Sequence, residues 1–294
     1  MDRIVLYSPA KINLILDILS KREDGYHEVD FVMQELELHD TITIEKTREA
    51  GEVTLTCDDP TVPLDARNTM HKAATLMQAE AVKRSMTVSG ITIHLQKRIP
   101  SAGGLGGGSS NGAIVLKGLN ELWELNLSKH ELMTLAAEIG SDVSFFIYGG
   151  TCRSEGRGEI ITPMEKIQEL NLAFIVVPVK VPENKTKWIY QNFDVKRVEH
   201  HLSVDAFRDA TKANDHAALV ESMGNVFEQG LSIPEYNPVW YLIESIQRIP
   251  GVEKAFLAGA GPTICVVCRD AKTAHQVIAP FEAKGQVAFA TRTM

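Results

Sequence analysis

The chain has 294 residues, 44% hydrophobic and 23% charged, with a formal net charge of -8 and a pI of about 5.6. This composition is typical of a globular protein with one large domain or two smaller ones. The acidic balance and the lack of a basic run argue against a nucleic-acid partner. No segment approaches the ~20 apolar residues of a membrane span, and none resembles a signal peptide. We therefore expect a soluble, cytoplasmic protein with no membrane partner.

Short strands and helices alternate through the first half of the chain. Strands are predicted at residues 4–6, 12–19, 31–38, 41–45 and 91–96. In the last of these, apolar and polar residues alternate strictly, as in a half-buried strand. Apolar residues recur at helical spacing over residues 113–123. Ser128 and Glu131 fit a capping box that opens another helix, and Gly140 is predicted to end it in a left-handed conformation.

The second half begins with a continuous apolar run at residues 172–177, which predicts a central strand. Helical patterns follow near residues 213–228 and 239–248. The chain then shows a strand at residues 255–257, a turn at 259–262 and a strand at 264–268. Cys265 and Cys268 have C-x-x-C spacing but no second pair, so we interpret them as core cysteines and not as zinc ligands. Because strands and helices mix without a clean βαβ repeat, the sequence predicts an α+β fold.

A glycine-rich segment between the strand at 91–96 and the helix at 113–123 is the most informative part of the sequence. It carries five glycines in six positions: Gly103, Gly104, Gly106, Gly107 and Gly108. Glycine allows close approach of backbone to a ligand, and the first N–H groups of a helix favour an anion. The segment is neither a Walker A motif nor a dinucleotide fingerprint, since Ser109 stands where each motif needs another residue. A flexible linker is the alternative, although its place between strand and helix favours a phosphate cradle.

The run from Pro100 through the glycines to Ser109, Ser110 and Asn111 resembles the phosphate loop of the GHMP kinases. That resemblance implies a two-lobed α+β fold. Residues 1–163 would form an N-terminal, ribosomal-protein-S5-like lobe that binds ATP and carries out catalysis. Residues 164–294 would form a C-terminal, ferredoxin-like substrate lobe.

Two further motifs are similar to one branch of this family, whose substrate is a cytidylyl sugar alcohol. They are S-P-A-K-I-N-L at residues 8–14 and D-G-Y-H-E at residues 24–28. The resemblance implies transfer of the γ-phosphate of ATP to the 2-hydroxyl of a cytidylyl methylerythritol, in the non-mevalonate route to isoprenoid precursors. The alternatives are another GHMP small-molecule kinase and a catalytically silent relative that binds ATP and a sugar as a regulator.

Asp142 lies in a segment similar to the family's G-A-D-V-P motif, and the resemblance makes it the base that accepts the proton of the attacking hydroxyl. A carboxylate within hydrogen-bond reach suits that task. The alternative is that Asp142 caps the next helix. The resemblance makes Lys11 the cation that orients this base, and the alternative is a surface lysine with a partly buried stem.

The resemblance assigns four side chains to the substrate: Asn13, Tyr26, His27 and Tyr190. Tyr26 would stack on cytosine and His27 would bond its edge. For Tyr190, core packing is an equally good interpretation. Gly259 and Gly261 would contact the substrate through their backbone. Their motif reads A-G-A-G-P-T at residues 258–263, where the family usually has S-G-S-G-P-T, so two hydroxyl contacts are missing.

The resemblance also implies ATP with Mg²⁺. The ATP-binding residues would be Asn68, Lys97, Pro100, Gly103, Gly104, Leu105, Gly106, Gly107, Gly108, Ser109, Ser110 and Asn111. Ser110 is the one metal ligand that we name, because Mg²⁺ bound with a nucleotide keeps most of its waters. We expect a monomer or a weak dimer whose small-molecule partner is the cytidylyl sugar alcohol.

Overall fold

The computed structural model describes residues 1–101, 103–182 and 184–294. The strands are β1 (Arg3–Lys21), β2 (His27–Thr47), β3 (Val53–Cys57), β4 (Gly90–Gln96), β5 (Thr151–Gly156), β6 (Ile160–Pro163), β7 (Asn171–Val176), β8 (Gly224–Asn225), β9 (Val252–Leu257), β10 (Thr263–Cys268) and β11 (Ala288–Arg292). The helices are α1 (Thr69–Lys83), α2 (Gly107–Leu122), α3 (Lys129–Ile139), α4 (Ser141–Tyr148), α5 (Lys185–Gln191), α6 (Val204–Ala213), α7 (His216–Ser222), α8 (Phe227–Gly230), α9 (Asn237–Gln247) and α10 (Ala271–Glu282). Over these residues, each helix is too short or too polar to cross a membrane.

The chain divides into two compact units. Unit 1 comprises residues 1–10, 38–100 and 106–149, and unit 2 comprises residues 11–37, 101–105 and 150–294. The long strands β1 and β2 each contribute residues to both units. The lobe boundary that the sequence suggested after residue 163 stays a prediction.

Unit 1 packs helices against a small sheet. The second half of β2 pairs antiparallel with β4, and β4 pairs parallel with β3. Alternate residues of these strands are fully buried, namely Ile42, Ile44, Ile91, Ile93 and Leu95. Helix α1 packs against α2, and α2 packs against α4. This arrangement confirms the predicted half-buried strand at residues 91–96 and holds the N-terminus of α2 in place.

Unit 2 contains a four-stranded antiparallel sheet in the order β11-β7-β10-β9. In chain order this is fourth, first, third, second, the arrangement of a ferredoxin-like fold, and it agrees with the predicted α+β class. One face packs on a large apolar core that includes Ile175, Phe227, Leu257, Ile264 and Val266. Elsewhere in the unit, β1 pairs parallel with β8, and the first half of β2 pairs antiparallel with β5.

Two long strands replace four predicted short ones. Strand β1 continues through Pro9, because the proline ring is compatible with an extended backbone and removes only one donor. Strand β2 continues through Asp40, which is fully buried. Its carboxylate accepts hydrogen bonds from the N–H groups of Arg98 and Ile99, so a polar residue does not interrupt the strand there.

Three helix boundaries also differ from the sequence interpretation. Helix α2 begins at Gly107, so the serines and Asn111 of the glycine segment lie in its first turns. The helix predicted over residues 213–228 is wrong: Asn214, at φ 52°, ends α6, and α7 and α8 follow as separate short helices. Gly140 does end α3, but with an extended φ of 169°, and it also precedes α4 directly.

Cys265 and Cys268 are both buried in β10, as predicted. Residues three apart in a strand point to opposite faces, so their sulfur atoms do not converge on one ligand. Among the described residues, no three His, Cys, Asp or Glu side chains are grouped so that they could hold a metal ion.

Candidate active site

The first turn of α2 forms an open end in unit 1. Gly106 is its N-cap with a φ of 71°, and within the described residues no side chain caps the turn. A Cβ on Gly107 would lie 3.2 Å from Ile99 Cγ2, whereas the space beside Gly108 is open. The first N–H groups of a helix have no partner within it, and its dipole adds positive potential. This end of α2 therefore has the chemistry to accept a phosphate.

A buried polar cluster fixes that first turn. Ser8 Oγ lies 2.7 Å from Ser110 Oγ and 2.7 Å from Asn111 Oδ1. All three residues are nearly or fully inaccessible to solvent. Ser110 also donates its backbone N–H to the Gly106 carbonyl. The side chains of Ser110 and Asn111 thus position the turn from behind. Sequence reasoning did not assign a role to Ser8, although it precedes the predicted motif residue Lys11 by only three positions.

Lys97 is held by a buried carboxylate. Its ammonium lies 2.9 Å from Asp40 Oδ2 and also donates to the Ile99 carbonyl. The same ammonium is 3.3 Å from the position of a Cβ on Gly107. Lys97 therefore ties β2 and the segment after β4 to the start of α2. Its predicted contact with ATP stays a prediction, as does that of Pro100, which follows Ile99. The sequence offered no sign of this role for Asp40, which stands between two predicted strands.

Asn68 is the N-cap of α1. Its Oδ1 accepts the Met70 N–H at 2.9 Å, and its Nδ2 donates to the Pro63 carbonyl at 2.6 Å. The next residue, Thr69, donates its hydroxyl to the Gly108 carbonyl at 2.5 Å. The N-terminus of α1 is thereby connected to the first turn of α2. The structure gives Asn68 a role in helix capping, and its predicted contact with ATP is not tested.

Asp142 occupies the first turn of α4 and is half-buried. The N-cap of this helix is Gly140, so Asp142 is not the capping residue, contrary to the alternative interpretation. A carboxylate in the first turn still gains from the partial positive charge of the helix N-terminus. Its aliphatic neighbours Val143 and Ile147 are buried and anchor the helix.

In unit 2, Lys11 and Asn13 form a buried pair on β1. Residues two apart in a strand share a face, and Lys11 Nζ donates to Asn13 Oδ1 at 2.9 Å. Each residue is only 5% exposed, which rules out a surface lysine. The backbone N–H of Lys11 donates to the Leu105 carbonyl at 2.9 Å. Lys11 is thus fixed beside the first part of the glycine segment.

Two glycine turns approach each other in unit 2. A Cβ on Gly104 would lie 3.4 Å from the Ala258 carbonyl oxygen, and one on Gly259 would lie 3.7 Å from the Gly104 oxygen and 3.9 Å from Asn13 Nδ2. Gly104 and Gly259 have φ values of 77° and 61°, which glycine adopts most readily. Segments 103–105 and 258–261 therefore lie close together next to Asn13.

Asn225 supports the second of these turns and was missed by sequence reasoning. Its Nδ2 donates to the carbonyls of Leu257 at 2.7 Å and Gly259 at 2.8 Å. Thr263, just after the turn, is fully buried, and its hydroxyl has no hydrogen-bond partner among the described residues. A buried polar atom of this kind usually has a partner, so the Thr263 hydroxyl is an exception among the described residues.

An aromatic cluster lies in the same unit. The His27 ring is 5.3 Å from the Tyr190 ring, and Tyr190 contacts Phe227 at 5.2 Å. Burial is the main cause that lowers the pKa of His27, with Lys21 adding to the effect. Tyr26 is 58% exposed, and the Arg157 guanidinium lies 5.0 Å from its ring centroid. Tyr190 therefore packs against the core and also contacts His27, and its predicted stacking on a base stays a prediction.

The predicted site residues fall into two sets. Asp142, Asn68, Lys97, Pro100 and residues 106–111 belong to unit 1. Lys11, Asn13, Tyr26, His27, Tyr190, the glycine turns and Leu105 belong to unit 2. Within each unit the structure brings most of its set together, through the Ser8 cluster in unit 1 and the Lys11–Asn13 pair in unit 2. The predicted pairing of Asp142 with Lys11 joins the two units and stays a prediction.

Comparisons with known proteins agree with these features. Residues 68–150 match the family model "GHMP kinases N terminal domain", and residues 207–287 match "GHMP kinases C terminal". The chain is 40% identical to the 4-diphosphocytidyl-2-C-methyl-D-erythritol kinase of Geobacillus kaustophilus (strain HTA426), over 89% of this chain and 87% of that protein. It is 38% identical to the enzyme of the same name from Brevibacillus brevis (strain 47 / JCM 6285 / NBRC 100599), over 94% of this chain and 91% of that protein.

A solved structure shows the same fold. The crystal structure of a 4-(cytidine 5'-diphospho)-2C-methyl-D-erythritol kinase superposes with a TM-score of 0.80 and 26% identity, and the match covers 99% of both chains. The two matched models together span more than half of the chain, and the relatives share more than a third of their residues with it. The chain therefore belongs to the GHMP kinase family.

Proposed function

We propose that this chain transfers the γ-phosphate of ATP to the 2-hydroxyl of 4-(cytidine 5'-diphospho)-2-C-methyl-D-erythritol, as a step towards isoprenoid precursors. The observation that carries the proposal is the buried Lys11–Asn13 pair beside two glycine turns in unit 2. A buried ammonium near the backbone of two glycine turns suits a phosphorylated alcohol. The names of the relatives at 38–40% identity supply the substrate.

Phosphoryl transfer leaves little covalent work for the protein, so positioning and charge neutralisation supply most of the rate. Asp142 is proposed as the base that accepts the proton of the 2-hydroxyl. Its place in the first turn of α4 puts it at a helix N-terminus, where the partial positive charge attracts a carboxylate. Lys11 is proposed as the cation that neutralises the developing negative charge, with Asn13 fixing its ammonium at 2.9 Å.

The cytidylyl end of the substrate is proposed to bind the aromatic cluster of unit 2. Tyr26 presents an exposed ring on which a base can stack, and Tyr190 offers a second one beside His27. A neutral His27 can both donate to and accept from a base edge, and burial keeps it neutral by lowering its pKa. Gly259 and Gly261 are proposed to contact the rest of the substrate through backbone N–H groups.

The nucleotide is proposed to bind unit 1. Two features of the first turn of α2 suit the phosphates of a nucleotide. Among the described residues no side chain caps this turn at Gly106, and the space beside Gly108 is open. Ser109 and Asn68 are proposed to contact the nucleotide as well. The Ser8 cluster holds Ser110 and Asn111. ATP supplies the transferred phosphoryl group, and Mg²⁺ would neutralise its charge, with the Ser110 hydroxyl as our proposed protein ligand.

Further parts of the proposal concern the whole protein. We propose a monomer or weak dimer that works in the cytoplasm, with residues 1–163 serving ATP and catalysis and residues 164–294 serving the substrate. Size-exclusion chromatography with light scattering over a range of concentrations measures the oligomeric state. A stable dimer at low concentration would contradict it.

An ADP-release assay tests the proposal directly. Purified protein with ATP and Mg²⁺ is offered three alcohols in turn: the cytidylyl methylerythritol, homoserine and mevalonate. We expect ADP release with the first alone. Equal turnover of homoserine or mevalonate would reject the substrate and favour another kinase of this family. Silence with all three, together with intact nucleotide binding, would favour a regulatory relative.

A further inference from the structure

Asn225 uses its whole side chain to hold the end of β9 and the turn that follows. Its Nδ2 donates to the Leu257 carbonyl at 2.7 Å and to the Gly259 carbonyl at 2.8 Å, and its Oδ1 accepts the Phe227 N–H at 3.0 Å. A side-chain amide has two N–H donors and one carbonyl acceptor, so both donors and the acceptor are in use. Asn225 is only 5% exposed. Loss of its donors would therefore leave two backbone carbonyls without these partners.

Leu257 is the last residue of β9, which is an edge strand of the four-stranded sheet. The outward N–H and C=O groups of an edge strand have no strand partner. At Leu257 two side chains take that place, since Glu228 accepts its N–H at 2.7 Å and Asn225 donates to its carbonyl. On the inner side, Ala258 donates its N–H to the Thr263 carbonyl at 2.7 Å and closes the turn. The turn is thus fixed by the sheet on one side and by these two side chains on the other.

The hydrogen bond from Asn225 to the Gly259 carbonyl also sets the direction of the next N–H group. The peptide between Gly259 and Ala260 is trans, and the C=O and N–H groups of a trans peptide point in opposite directions. The Ala260 N–H therefore points away from Asn225. Gly259 has a φ of 61°, and a turn with a left-handed residue can direct successive N–H groups towards one anion. Asn225 thereby orients the donors of this turn from the opposite side of the backbone.

The backbone of Asn225 is joined to the strand that carries Lys11 and Asn13. Asn225 lies opposite Leu16 in the parallel pairing of β8 with β1, and the Val226 N–H donates to the Leu16 carbonyl at 2.9 Å. Leu16 follows Asn13 on the same strand. Asn225 therefore connects the two parts of the proposed substrate site: its backbone holds the strand of the Lys11–Asn13 pair, and its side chain holds the glycine turn.

We infer that Asn225 is a positioning residue for the alcohol substrate, because it holds the backbone N–H donors of the turn at 258–261 in register with Lys11 and Asn13. The inference rests on the proposed function for the identity of that substrate and for its contact with the turn. Donors that are held in place before binding need no ordering when the substrate arrives, so affinity improves. Loss of the two hydrogen bonds that Asn225 donates should therefore weaken substrate binding and leave the nucleotide, which is proposed to bind unit 1, unaffected.

Asn225→Asp separates the two donors from the rest of the side chain. Aspartate has the same shape and still accepts the Phe227 N–H, but it places an oxygen where Nδ2 stood. Asn225→Ala removes the donors without burying a charge, so it tests the same prediction if Asn225→Asp does not fold. Gln247→Glu is the matched control. Gln247 makes similar contacts nearer the start of β9, where its Nε2 donates to the Glu253 carbonyl at 3.2 Å and its Oε1 accepts the Ala255 N–H at 2.8 Å.

Steady-state kinetics gives KM for ATP and for whichever of the three alcohols of the ADP-release assay the parent protein phosphorylates. We expect Asn225→Asp and Asn225→Ala to raise KM for that alcohol at least about tenfold, the effect of losing one hydrogen bond. KM for ATP should not change, and Gln247→Glu should change neither value. A merely structural role would raise both KM values or neither. Amide hydrogen exchange, followed by mass spectrometry without substrate, should be faster over residues 258–262 in the Asn225 variants alone.

Four results would overturn the inference: an unchanged KM for the alcohol in the Asn225 variants, an equal rise in KM for ATP, an equal rise for the alcohol in Gln247→Glu, or unchanged exchange over residues 258–262. Turnover of homoserine or mevalonate in place of the cytidylyl alcohol would reject the proposed substrate alone, because the KM comparison is then made with that alcohol. Silence of the parent protein with all three alcohols would overturn the inference together with the proposed function.

Discussion

Removing the buried carboxylate of Asp40 should destabilise unit 1 strongly. Asp40 is fully buried and accepts three hydrogen bonds, from the N–H groups of Arg98 at 2.7 Å and Ile99 at 2.8 Å and from Lys97 Nζ at 2.9 Å. In Asp40→Ala, the ammonium of Lys97 remains in a site where its side chain is only 10% exposed. Breaking a buried ion pair from one side costs about 3–5 kcal/mol of unfolding free energy.

Two further variants apportion that loss. In Asp40→Asn, the amide oxygen still accepts from both backbone N–H groups, but the attraction for Lys97 is lost, so we expect an intermediate effect. In Lys97→Met, Asp40 keeps its two backbone donors, which also predicts a smaller loss than in Asp40→Ala. The double variant Asp40→Ala with Lys97→Met should be more stable than Asp40→Ala alone, because it leaves no buried cation.

Urea unfolding followed by circular dichroism gives the unfolding free energies. Asp65→Ala is a matched control, since Asp65 also forms an ion pair, with Arg67, but on the surface. We expect little change in the urea midpoint of this variant. A loss below about 1 kcal/mol in Asp40→Ala would refute the reasoning, because a group with three buried donors would then be dispensable. ADP binding to Lys97→Met, measured alongside, tests the separate prediction that Lys97 contacts ATP.

Three other predictions concern the site. Asp142→Asn should lower kcat by a factor of about 10²–10⁴. ADP binding, measured by calorimetry, should not change. A near-normal kcat would show that Asp142 is not the base. Tyr26→Ala should raise KM for the cytidylyl substrate and not for ATP, and the similarly exposed Tyr241→Ala is the control; equal effects on both KM values would count against stacking. Gly259→Ala and the control Gly285→Ala both force an alanine to positive φ, at about 1–2 kcal/mol each. Only Gly259→Ala should raise KM for the cytidylyl substrate. A similar rise in Gly285→Ala would mean that the effect does not come from contact between the turn and the substrate.

Local patterns predicted most secondary structure well. The alternating run at residues 91–96, the apolar run at 172–177 and the capping box at Ser128 all appear as expected. The predictions were wrong where a residue that usually ends a strand is stabilised within it by tertiary contacts. Asp40 reads as a break between two strands, yet backbone N–H groups distant in sequence satisfy its carboxylate within one continuous strand. A pattern within a window of a few residues contains no information about those donors.

Some residues of the candidate site were also predictable from the sequence, and others were not. Lys11, Asn13 and the glycine segment stand in motifs that are recognisable along the chain, so the sequence already indicated them. Ser8 stands in one of these motifs but had no role assigned to it, and Asn225 stands in none of them. Each acts on residues 32 or more positions away, as Ser8 does on Ser110 and Asn225 on Leu257. Their roles depend on which segments fold against one another.

The sequence alone determined the α+β class, the family and the presence of a glycine cradle before a helix, because these follow from periodicity and short motifs. The tertiary structure decided where the helix begins and which buried groups hold that cradle. The physical reason is that hydrogen bonds and charges act across space. The role of a carboxylate or an ammonium depends on partners that only the folded chain brings within about 3 Å.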